Sequence, residues 1–62
     1  MQRNDKLETF LRQQNIKFNY NISPGQYELK GKILMNQFRE LIEYLNGTNL
    51  LIAYINGDLI IH

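Results

Sequence analysis

The chain contains no cysteine, one proline, one alanine and one histidine. Without cysteine, a disulfide scaffold and any thiolate zinc site are excluded. The histidine is the last residue, His62, so no internal imidazole is present for acid–base chemistry. Long apolar runs are also lacking. The longest, Leu50 to Ile55, falls far short of the ~20 residues that span a bilayer, and no signal-peptide pattern is visible. The expectation is a cytoplasmic protein with no membrane partner. An excess of either charge is missing too: seven basic against six acidic residues leave +1, too balanced to indicate nucleic acid or membrane by charge alone.

What remains is 62 residues, 44% of them hydrophobic, enough for one small folded domain and too apolar for disorder. A chain of this length buries only about 60% of the surface it exposes when unfolded, so its stability is marginal unless something reinforces it. Asparagine occurs eight times, isoleucine eight and leucine nine. Asparagine and isoleucine, with lysine, tyrosine and phenylalanine, are read from AT-rich codons and suggest an AT-rich bacterial or phage genome.

Hydrophobic spacing predicts a helix from about Asn4 to Gln14. Asn4 or Asp5 caps it, and Leu7, Phe10 and Leu11 form a narrow apolar stripe. Arg3, Lys6, Glu8, Arg12 and Gln13 cover the remainder, and Asn15 stops it. From Ile16 to Ile22 the period changes to two, as in a half-buried strand. Ser23-Pro24-Gly25 makes a turn, and a second strand follows over about Gln26 to Ile33. Tyr27, Leu29, Gly31 and Ile33 share one face of it, with Glu28, Lys30 and Lys32 opposite.

A second helix is marked by Phe38, Leu41, Ile42 and Leu45 at i, i+3, i+4 and i+7. Asn36 is its expected N-cap and Gly47 its expected left-handed C-cap. Gln37, Arg39, Glu40 and Glu43 face away. Asn56-Gly57 then joins Leu50–Ile55 to Asp58–His62 through a two-residue type I′ turn. This second hairpin is apolar on both faces, so one face takes the helices and the other needs a further sheet or a second copy. The order α-β-β-α-β-β predicts an α+β domain over residues 1–62, with two antiparallel hairpins and both helices packed on one sheet face.

Candidate chemistry is thin. Ser23, Thr9, Thr48 and the four tyrosines have no histidine or cysteine beside them in sequence. Glu40 and Glu43 read as a solvated helix face beside Arg39. His62 with Asp58 is too sparse for zinc, and the glycines form no phosphate-cradling pattern. Neither a catalytic residue nor a cofactor is expected. Two surfaces qualify as sites. Leu51, Ala53, Ile55 and Ile60 form the uncovered face of the second hairpin, an oligomer or partner interface, with Leu50, Ile52 and Tyr54 taking that place if the register is reversed. Lys17, Lys30 and Lys32 share the wet face of the first hairpin, where phosphates would bind. Glu28 shares that face and the aromatics point away from it, so nucleic acid is the less favoured partner.

Two resemblances follow from particular segments. Phe38-Arg39-Glu40-Leu41-Ile42-Glu43, running into Leu45-Asn46-Gly47-Thr48-Asn49 and an apolar strand, is similar to small prophage proteins of the YonK type, which implies phage provenance rather than an activity. The N-terminal helix, Ile16 to Ile22, Pro24-Gly25 and Leu29-Lys30-Gly31-Lys32-Ile33 resemble the first motif of Sm-like (Hfq-type) RNA-binding proteins. Ile55-Asn56-Gly57-Asp58 with Leu59-Ile60-Ile61 resembles their second motif. That likeness implies a five-stranded barrel assembling into an RNA-binding ring. It requires a strand where Phe38 to Leu45 has helical periodicity, and the family's Lys-His pair is missing.

The functional expectation is a small non-enzymatic interaction protein of phage or mobile-element origin. It would bind and inhibit a host defence or regulatory protein. It is also expected to form a homo-oligomer, a dimer in preference to larger assemblies, through the C-terminal hairpin.

Overall fold

The computed structural model describes all 62 residues. Its elements are α1 (Asp5–Gln13), β1 (Lys17–Asn21), β2 (Gln26–Lys30), α2 (Met35–Asn46), β3 (Ile52–Ile55) and β4 (Asp58–Ile61), in the α-β-β-α-β-β order that the patterning indicates. The strands form one antiparallel sheet ordered β1-β2-β4-β3. Residues facing the helices are Phe18, Tyr20, Tyr27, Leu29, Leu59, Ile61 and Ile52, whereas Glu28, Ile60 and Ala53 lie in register on the other side. The sheet is open. It is not a five-stranded barrel, and Phe38 to Leu45 lies inside α2.

Both helices dock on the same sheet face. Leu7 and Leu11 of α1 meet Leu41 and Leu45 of α2 over Tyr27, Leu29 and Ile61, and these residues form the buried core with Ile16. Between the helices, Phe10 and Tyr44 stack with ring centroids 4.3 Å apart. Burying each large aliphatic side chain contributes about 1.5–3 kcal/mol, so this single cluster accounts for most of the fold's drive.

α1 begins as expected, with Asn4 Oδ1 accepting from the Leu7 amide at 3.0 Å. It ends in a Schellman turn. Asn15 takes φ 59, its amide donates to Arg12 O, and the Ile16 amide reaches Leu11 O at 2.9 Å. Leu11 and Ile16, the two residues that this turn brings together, are both buried.

α2 differs from expectation at both ends. Asn36 is not its cap; Leu34 holds that position, and its amide donates to Gln37 Oε1 at 2.7 Å. Gln37 therefore does not simply face solvent, and its amide nitrogen donates to Gln14 O at 2.8 Å, tying the start of α2 to the end of α1. Gly47 occupies the C-cap but with φ −90, not a left-handed conformation. Termination is supplied by Thr48, whose amide and hydroxyl both donate to Leu45 O.

β2 ends at Lys30, earlier than the alternation suggests, because Gly31 turns the chain with φ +73. Lys32 and Ile33 consequently leave the ladder, although Ile33 still packs on the core. Asn56 and Gly57 take φ 51 and 86, the pair of positive values that a type I′ turn requires. Leu51 lies outside β3 yet exchanges two backbone hydrogen bonds with His62, extending the hairpin by one pair.

Candidate functional site

Three places bring unusual chemistry together. The first lies where α1 crosses β1 and β2. Glu8 is only 3% exposed, the one buried charged residue of the chain, which corrects the expectation that it covers the outer side of α1. Its carboxylate is fully engaged. Arg3 Nε donates to Oε2 at 2.9 Å, and Arg3 Nη2 donates to Oε1 at 2.8 Å. Arg12 Nη2 also donates to Oε1, at 3.2 Å, and the Tyr27 hydroxyl donates to Oε2 at 2.5 Å.

The Tyr27 hydroxyl in turn accepts from the Asn4 amide at 2.7 Å. Hydrogen bonds from Arg3 and then Tyr27 hold the Glu8 carboxyl down at about 2, against the opposing effect of burial. Burial, chiefly, pushes the Tyr27 hydroxyl upwards. The two guanidiniums also lie over aromatic rings, Arg3 over Tyr20 at 5.4 Å and Arg12 over Phe18 at 5.5 Å. No buried side-chain polar atom in the molecule lacks a partner. The cluster therefore fixes α1 and the N-terminal segment on the sheet. The same segment is held at Met1, whose amino group donates to Gly25 O at 2.6 Å and whose carbonyl accepts from the Tyr20 hydroxyl at 2.5 Å.

The second place is the basic one. Lys17 and Lys30 are directly opposite each other on β1 and β2, and both line a small concavity with Lys32, Asn15, Ile16 and Gly31. The three lysines thus converge, though Lys32 does so from the loop after β2 and not from a strand face. Lys30 forms an ion pair with Glu28, which raises the lysine's pKa and takes up part of the positive charge. No aromatic ring lines the concavity.

The third place is the C-terminal hairpin. β3 is an edge strand and nothing covers the side of the sheet opposite the helices. Leu51 is 63% exposed, Ile55 47% and Tyr54 73%. Leu51, Ala53 and Ile55 share the bare face, as expected, with Ala53 half-buried. Ile60 shares it too but is only 4% exposed, because β4 is an interior strand flanked by Glu28 of β2 and Ala53 of β3. It therefore adds little surface. Tyr54, placed by the alternation on the helix side, is left uncovered there because neither helix reaches the β3 edge.

Comparison with protein-family models, with curated protein sequences and with solved structures returns no match. Elsewhere, no helix is long and apolar enough to cross a membrane, and no three potential metal-ligating side chains cluster.

Proposed function

We propose that this protein is a non-enzymatic interaction module that works by protein–protein contact through the edge and bare face of its C-terminal hairpin. The observation that supports this reading is the exposure of Leu51, Tyr54 and Ile55 on one uncovered sheet edge. Leaving apolar side chains of this size in water forgoes about 1.5–3 kcal/mol each, and burial against a partner recovers it. Edge strands also recruit other chains through unpaired backbone groups, so the same strand supplies both apolar contact and hydrogen bonds. Inhibition of a host defence or regulatory protein is the particular form of this activity that the AT-rich composition suggests.

Nucleic-acid binding has less support, because Glu28 pairs with one of the three converging lysines. The RNA-binding ring belongs to a closed barrel, and this sheet is open.

Site-specific photo-crosslinking in cells of the native source tests the contact reading. A benzophenone side chain at position 55 is expected to give discrete protein adducts, and one at Asn19 on the opposite edge strand none. Absence of adducts from position 55, or equal yields from both sites, would overturn it.

A further inference from the structure

We infer that the occupant of the β3 edge is a second copy of this chain, paired antiparallel about a two-fold axis through Ala53. The assignment rests on the contact reading above and names its partner. Its basis is the hydrogen-bonding phase of the strand. Leu51 exchanges both backbone bonds with His62, and Ala53 and Ile55 stand opposite Ile60 and Asp58 in the same phase. In an antiparallel ladder the intervening residues turn their N–H and C=O groups the other way. Ile52 and Tyr54 therefore aim their backbone groups out of the sheet edge.

A strand with two such residues is self-complementary. Pairing Ile52 of one copy with Tyr54 of the other lets each copy donate two N–H groups and accept at two carbonyls. Ala53 then faces its own counterpart across the axis. The neighbouring registers do worse. Centring on Ile52 places Tyr54 opposite Leu50, whose amide is already bonded to Thr48 Oγ1. Centring on Tyr54 places Ile52 opposite Asn56, which is bent into the turn with φ 51. Only the Ala53-centred register uses every outward group.

Side chains agree with that register. Leu51 of each copy meets Ile55 of the other on the bare face, and Ile52 meets Tyr54 on the helix face. Both are apolar pairs of the kind that stabilise adjacent strands. No charged residue lies between Leu50 and Ile55, so no like charges are juxtaposed. The opposite edge strand, β1, carries Lys17 and two asparagines, features that discourage edge pairing. An exposed aromatic side chain offers ~150–250 Å², so Leu51, Tyr54 and Ile55 together provide a few hundred Å² per copy. That is below the ~800 Å² per partner of a standard interface, which makes the dimer weak and concentration-dependent. Pairing produces one eight-stranded sheet with all helices on one side, and it joins the two bare-face apolar patches into one.

Because the chain has no cysteine, single-cysteine variants report the register directly. Residues facing each other in a non-hydrogen-bonded antiparallel pair have Cα atoms about 4.5 Å apart, within disulfide reach. Under mild oxidation Ala53→Cys is expected to become a covalent dimer, whereas Asn19→Cys stays monomeric. In sedimentation, wild type is expected to shift from monomer to dimer across the micromolar range. Tyr54→Pro, which removes an outward N–H that no intramolecular bond uses, and Ile55→Asp are both expected to remain monomeric with a native circular dichroism spectrum. Wild type that stays monomeric at high micromolar concentration, or Ala53→Cys that cross-links no faster than Asn19→Cys, would overturn the second-copy assignment. If position 55 then photo-crosslinks to a different protein, the contact reading survives without it. If position 55 gives no adduct at all, both fall.

Discussion

Glu8 and Tyr27 are the pair of residues on which the helix–sheet junction depends. A buried carboxylate is stable only when its charge is answered, and here two guanidiniums and a phenol answer it. Its folded-state pKa is depressed from 4.5 to about 2, so the folded protein binds this proton less readily than the unfolded chain. The stabilisation it confers is therefore complete above about 4.5 and is lost as the pH falls towards 2. Thermal melts across that window should show a falling midpoint for wild type and a flatter profile for Glu8→Gln; parallel profiles would contradict the role given to Glu8. Tyr27→Phe keeps the ring between Phe18 and Tyr20 but strips Glu8 of a donor and the Asn4 amide of an acceptor. A loss of about 1–3 kcal/mol in urea denaturation is expected. At the other end of the chain, Gly57→Val forces a β-branched residue to φ +86 and should cost roughly 1 kcal/mol or more, read as a lower melting temperature.

At the level of elements, the sequence is most legible where period and turn chemistry agree. The spacing of Leu7 and Leu11, the four-point stripe of α2 and the Asn56-Gly57 turn each specify an element through local rules alone. The element order and the helices' shared sheet face follow from them. What local pattern does not carry is long-range hydrogen bonding. Glu8 with Arg12 at i,i+4 reads as an ordinary surface pair, and only the phenol of Tyr27, nineteen residues away, shows that it is buried. Gln37 likewise reads as solvent-facing until Gln14 O is placed beside it.

Strand β2 reads too long because alternation continues through Gly31, whose positive φ ends the ladder. In the candidate interface, Leu51, Ala53 and Ile55 are legible as one face. The burial of Ile60 depends on strand order, which alternation does not encode. The α1 stop, by contrast, has a local cause that can be tested. Asn15 sits at φ 59, where Asn15→Gly should be tolerated and Asn15→Val should lose about 1–2 kcal/mol by urea midpoint.

For the whole molecule the decisive quantity is charge, and it separates two ways of meeting a partner. The fold gathers Lys17, Lys30 and Lys32 around one concavity, which is how a phosphate-binding patch would be assembled. Yet the chain as a whole carries only +1, and Glu28 sits among these lysines and pairs with Lys30. Affinity for a nucleic-acid backbone grows with the number of phosphates neutralised, each contributing about −0.7 to −0.9 to the slope of log K against log salt. With two or three lysines available the slope is at most about −3, and neither exposed aromatics nor net charge adds to it. Fluorescence anisotropy with single-stranded RNA and duplex DNA at physiological salt should therefore show no binding tighter than micromolar, and changing all three lysines to glutamate should alter little. Micromolar or tighter binding, abolished by that triple substitution, would move the functional surface from the apolar edge of β3 to the β1–β2 end of the same sheet.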